Sequence, residues 1–185
     1  MFSRSHLCKI PPKTAPSNYT LVLSQYEKSM SIHYSLRAYS TQPFSLTRHV
    51  DNLNHVKTIN DGQWTRDTAG GCVNNRDTYK MNPVYLLDVQ GPRDVDNVLL
   101  IDVKAPKEFH VGFDVTAVNL RDPTSIHAFD RKTSGSYRSG FTMLKISHVP
   151  PGQYHVVPST FNPGQVGPFF LTVRASCSFS LNRLR

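Results

Sequence analysis

The sequence predicts an all-β protein, an antiparallel, eight-stranded β-sandwich. Three observations carry that expectation. Polar and apolar residues alternate with period two over many short runs. Turn signals rich in Pro, Gly, Asn and Asp separate the runs every ~8–15 residues. No segment sustains apolar residues at i, i+3, i+4 and i+7, the mark of an amphipathic helix.

Residues Met1 to Asn18 hold Pro11, Pro12 and Pro16 and no periodicity, so they read as a linker or tail. The folded domain is expected over 19–185. Tyr19 to Tyr26 and Ile32 to Tyr39 both alternate, with Glu27-Lys28-Ser29-Met30 as a polar turn between them, which predicts a hairpin. Phe44 to Leu46 is a short candidate strand. Arg48 to Asp61 is polar and reads as a long loop.

Val84 to Val89 is the next strand, followed by a turn at Gly91 to Asn97. Val98 to Val103 and then Val111 to Asn119 carry strand patterns. Phe129 to Gly140 is polar and rich in Gly and Ser. Phe141 to Ile146 is a strand, and Pro150-Pro151-Gly152 stops it from continuing. Tyr154 to Val157, Phe169 to Val173 and Phe179 to Leu184 complete the set.

The 185-residue length suits one domain, able to bury roughly 70% of its unfolded surface without disulfides or metal. Three scattered cysteines with no CxxC spacing give no disulfide framework and fit a reducing compartment. No apolar run reaches the roughly 18 residues of a membrane-spanning helix. The net charge of +8 admits an anionic partner. The cations are dispersed, however, with only Arg131-Lys132 adjacent, so nucleic acid is not expected.

Cys72, directly after Gly70-Gly71, is the residue that invites a catalytic reading. A nucleophilic thiolate needs a helix N-terminus or a histidine beside it. His55 and His110 are the nearest histidines in the chain, and the sequence around Cys72 offers no helix. A lone cysteine in such a place is more often a small buried hydrophobe. The eight histidines show no HxxxH or HExxH spacing. Asp94 and Asp96, with Asp122 or Asp130, are weak calcium candidates, since loop acids at one end of a sandwich hold calcium in C2 domains. Solvated turn acids are the plainer reading. Arg131, Lys132 and Arg138 interleave with Tyr137 and form a candidate contact for an anion or a membrane surface, with a solvated loop as the alternative.

Two motifs add a family resemblance. Gly62 to Asn74 reads G-x-W-x(4)-A-G-G-C-x-N and is completed by Asn82-Pro83. Gly152 to Val173 reads GQYHVVPSTFNPGQVGPFFLTV, and Arg131 to Tyr137 reads R-K-x-S-G-x-Y. Together they resemble the calpain family, in its C2-like β-sandwich called domain III. With the run from Leu21 to Ser40, the likeness is to the distal C2-like domain of the PalB-type, calpain-7 branch, and it covers roughly Tyr19 to the C-terminus. The resemblance implies a parent cysteine endopeptidase with N-terminal microtubule-interacting and trafficking domains that bind ESCRT-III proteins, a papain-like core and two C-terminal C2-like domains. It implies a cytoplasmic setting, with endosome association through the parent. The segments G-x-x-G-D-C-W, G-H-A-Y and N-P-W-G do not occur here, so no catalytic residue carries over and no cofactor is expected. Residues 1–18 would then join a preceding C2-like domain, with the chain a fragment of a longer product. Its partners would be the protease core, that neighbouring domain, and a protein or anionic membrane surface. Trp64, Gly70, Gly71, Cys72, Asn82 and Pro83 are expected to be structural: a packed ring, a tight backbone path, a small filler and the lead into the next strand.

Overall fold

The computed structural model describes residues 19, 21, 34–47, 52–93 and 96–185. The chain divides into two compact units, Met1–Val50 and Asp51–Arg185. The second holds ten strands and one helical turn among the described residues. These are β1 (His55–Trp64), α1 (Arg76–Tyr79), β2 (Tyr85–Val89), β3 (Leu99–Lys104), β4 (His110–Leu120), β5 (Arg131–Thr133), β6 (Arg138–Ser139), β7 (Phe141–Ile146), β8 (Gly152–Thr160), β9 (Gly167–Ala175) and β10 (Phe179–Arg183).

They form two antiparallel sheets. Sheet A has the order β1-β9-β3-β7; sheet B has the order β10-β2-β8-β4-β5, with β6 also paired to β4. The all-β antiparallel sandwich is therefore the fold, with ten strands where eight were expected. Two short strands that were not expected, β5 and β6, lie in the Gly/Ser-rich stretch read as a loop. They are three and two residues long, too short for a period-two pattern to register.

Alternation builds the core. Tyr85, Leu87 and Val89 of β2 face inward, as do Val111, Phe113 and Val115 of β4 and Tyr154 and Val156 of β8. From sheet A come Leu99, Ile101 and Val103 of β3 and Phe169, Leu171 and Val173 of β9. Register puts like with like: Tyr85 and Val115 both sit beside Val156, and Ile101 sits beside Val173. Trp64 closes one end of this core. Its ring lies 4.4 Å from Phe169 and edge-on to Phe109 at 6.3 Å. Its indole N–H donates across the sandwich to the Pro158 carbonyl at 3.1 Å. Pro158 fits inside β8 because the β2 register ends at Tyr85↔Val156, so the missing N–H faces no strand on that side.

Three expectations need correction. The polar stretch read as a loop over Arg48 to Asp61 contributes most of β1. An edge strand exposes one side and tolerates the polar run His55 to Asp61, which hides its period. Phe44 to Leu46 forms no strand, and its rings and chains are exposed. Of the hairpin expected over Tyr19 to Tyr39, residues 20 and 22–33 lie outside the described residues; Tyr34 to Tyr39 carry no strand and are exposed. Alternation marks a run that could half-bury itself in a sheet, and Tyr34 to Tyr39 are exposed on both of its sides.

Trp64→Ala removes the most buried large ring and its cross-sheet hydrogen bond. A urea titration is expected to show a loss of about 3–5 kcal/mol. A neutral result would mean that the ring does not close the core.

Candidate functional site

Between β1 and β2 the chain makes a loop that folds back on itself. Ala69 N donates to the Thr65 carbonyl, and Gly164 N donates to the Ala69 carbonyl at 2.7 Å, which ties this loop to the β8–β9 turn. Gly71 has φ +77°, and a Cβ there would sit 2.6 Å from the Pro163 nitrogen, so both conformation and space demand glycine. At Gly70 a Cβ would run into the Thr78 carbonyl. Asn82, fully buried, holds the loop shut. Its Oδ1 accepts from Gly70 N at 3.1 Å, and its Nδ2 donates to the Gly71 and Tyr79 carbonyls at 2.8 and 2.9 Å. Pro83 is buried beside it and leads into β2.

Cys72 is 3% exposed. Its amide donates to the Phe161 carbonyl, and its sulfur receives only a long contact from the Asn75 side chain at 3.5 Å. The helical turn α1 follows Asn75, a feature the sequence did not signal because four residues are too few for a 3.6-residue period. Among the described residues, no histidine hydrogen-bonds the thiol. Burial pushes the other described buried thiol, Cys177, up from its ordinary value.

On the outer side of sheet B the same loop completes a polar cluster. Alternation along β4 turns Asp114 away from the core, yet it is only 4% exposed. Arg131 donates through Nε and Nη2 to Asp114 Oδ1, at 3.2 and 2.9 Å. The Tyr79 hydroxyl donates to Oδ2. Tyr137 lies flat over Gly112, where a Cβ would be 2.7 Å from the ring, and its hydroxyl pairs with Ser159 Oγ at 2.7 Å. Ser134 Oγ accepts from Phe113 N at 3.0 Å, and Gly135, at φ +83°, turns the chain. Val73, Asp114, Arg131 and Tyr137 border a cleft of about 140 Å³. Both Asp114 oxygens and the two phenol hydroxyls are engaged by other side chains, and the arrangement braces the strand.

Of the three anion-contact candidates, Arg131 is thus committed to Asp114. Lys132 sits 5.0 Å from the centre of the Phe129 ring, and Arg138 is exposed on β6.

The acids were placed in the loops at one end of the sandwich. Asp94 lies outside the described residues. Asp96 and Asp122 do line one cleft of about 210 Å³, together with Arg93, His127 and His148. Asp96 Oδ1 accepts from His148 N at 2.6 Å and lies 3.2 Å from its Nδ1; the His148 and His127 rings stack at 4.5 Å. Hydrogen bonds from the Thr124 hydroxyl and amide hold Asp122 below the usual carboxylate range. Among the described residues, no group of three His, Cys, Asp or Glu side chains is placed to hold a metal ion.

The profile for the calpain large subunit, domain III, covers residues 60–174. The chain belongs to the calpain domain III family. Calpain-7 of Mus musculus is 39% identical over 186 residues, covering 99% of this chain and 22% of that protein. Calpain-7 of Sus scrofa is 41% identical over 172 residues, with 91% and 20% covered. The calpain-like protease palB/RIM13 of Aspergillus oryzae is 33% identical, with 89% and 19% covered. This domain III chain spans about a fifth of the length of these relatives. The match to the domain, rather than to a protease core, agrees with a site made of braces.

The braces predict a pH response. Burial, then Asp114, pushes the Tyr79 phenol far above its ordinary value near 10, and burial pushes Tyr137 up to about 12. Both folded values exceed the unfolded one, so the neutral phenols favour folding. That stability is complete below pH ~10 and is lost as pH rises through the folded values. Tyr137→Phe is expected to flatten the decline between pH ~10 and ~12 in denaturant titrations. Superimposable wild-type and variant profiles would contradict this.

Proposed function

We propose that the chain is a non-catalytic C2-like β-sandwich module of a calpain-7-like intracellular cysteine endopeptidase. In this reading it positions the protease core, packs against a preceding C2-like domain or holds a protein partner, in the cytoplasm and on endosomes through the parent protein. The observation that carries it is the domain III match over residues 60–174, the stretch that holds the buried Cys72. A cleaving enzyme needs an exposed, activated nucleophile, and a thiol 3% exposed beside an asparagine is a poor one.

A second reading is a phospholipid-binding module. It is supported by the net charge of +8 and by the exposure of Lys132 and Arg138. The engagement of Arg131 with Asp114 counts against it, because a paired guanidinium offers less charge to a headgroup. Sedimentation with phosphatidylcholine vesicles, with and without phosphatidylserine, separates the two readings.

The purified chain is expected to leave casein intact, and Cys72→Ser is expected to change nothing but packing. Casein cleavage that Cys72→Ser abolishes would overturn the non-catalytic reading.

A further inference from the structure

The outer face of sheet A is built in three cross-strand rows. The first is Phe141–Lys104–Phe170, the second Met143–Asp102–Thr172–Thr58, and the third Lys145–Leu100–Arg174–Val56. Every one of these residues alternates with a core residue, so the rows point away from the sandwich. Phe141, Met143, Phe170 and Val56 are 41%, 50%, 45% and 56% exposed. Large apolar side chains gathered on one sheet face mark an interaction surface.

Within these rows the charge is mostly positive. Their one acid, Asp102, is 3% exposed and is held by Arg174 Nη1 at 2.9 Å. Asp61 stands in the β1 bulge across from Phe170, at the margin of the face. Lys104 and Lys145 have no ion-pair partner among the described residues, and Lys104 stands between two exposed phenyl rings. Thr58 and Thr172 bond to each other at 3.2 Å. The rows thus offer apolar side chains with two cations beside them. The complementary surface is apolar with carboxylates at its margins.

The geometry points to the outer face of sheet A, centred on Phe141, Lys104 and Phe170, as the docking site for an acidic protein segment with an apolar stripe. A polypeptide can seat its stripe on the two phenyl rings and place a carboxylate at Lys104 while leaving the Arg174 guanidinium, whose side chain is 38% exposed, in water. A bilayer would cover the whole face and dehydrate that guanidinium as well, which is costly. This assignment rests on the non-catalytic, partner-binding reading. Casein cleavage would sink that reading, whereas the experiment below can fail with that reading intact.

The probe is a fluorescein-labelled amphipathic peptide built from Glu, Leu and Ala, titrated with the whole chain and followed by anisotropy. A peptide with Lys in place of Glu is the control. Lys104→Glu and Phe170→Ser are each expected to weaken binding of the Glu peptide by about tenfold. Lys132→Glu, the same charge change on sheet B, is expected to leave it unchanged. Trp64 fluorescence checks that each variant is folded. The assignment is overturned if the Glu peptide does not bind, if the Lys peptide binds as well, or if Lys132→Glu weakens binding as much as Lys104→Glu. It is equally overturned if phosphatidylserine vesicles bind through Lys104 and Phe170 more tightly than the peptide does.

Discussion

One buried amide side chain sets the path of the loop on which this domain depends. Asn82 satisfies the backbone donor of Gly70 and the backbone acceptor of Gly71, which would otherwise be buried without partners, and adds a bond to the Tyr79 carbonyl. Its own carbonyl accepts from the Arg185 guanidinium at 3.3 Å, so the clasp also reaches the end of the chain. Because Gly71 is locked at φ +77° against Pro163, the β1–β2 loop and the β8–β9 turn cannot shift independently. Trp64 lies just before this loop and Tyr85 just after it. The clasp therefore fixes where two of the largest core rings arrive.

The same loop delivers Tyr79 to Asp114. A carboxylate on the outer side of a central strand is expensive to bury alone. Arg131 and Tyr79 together make it tolerable, and Tyr137 over Gly112 seals the neighbouring backbone. The two faces of the domain thereby differ in kind. The outer side of sheet B carries a polar network, and the outer side of sheet A carries the exposed Phe141, Met143 and Phe170 with Lys104 and Lys145.

The strands with a clean period were legible in the sequence. Tyr85-Leu87-Val89, Val111-Phe113-Val115 and Phe169-Leu171-Val173 each put an apolar residue at every second position, and a single core explains all three. β1 was not legible, because an edge strand with polar residues on both sides looks like a loop until its partner is known. β5 and β6 were too short to read. The run from Arg131 to Tyr137 looked like an anion-binding loop because its partners are distant in sequence: Asp114 lies 17 residues from Arg131, and Ser159 lies 22 from Tyr137. Nothing local to Asp114 signals burial; only the crossing of β4, β5 and the Tyr79 turn creates it. Cys72 drew attention for its Gly-Gly setting, and that setting serves the fit of the backbone against Pro163.

The central claim is that Asn82 holds the Gly62–Val89 stretch as a structural clasp. Urea unfolding of Asn82→Ala tests it most directly. Three hydrogen bonds are lost, and the Gly70 N–H and the Gly71 carbonyl are left without a partner, so the account predicts a loss of about 3 kcal/mol, at about 1 kcal/mol for each hydrogen bond. A change within about 0.5 kcal/mol, the range of ordinary surface substitutions, would contradict it.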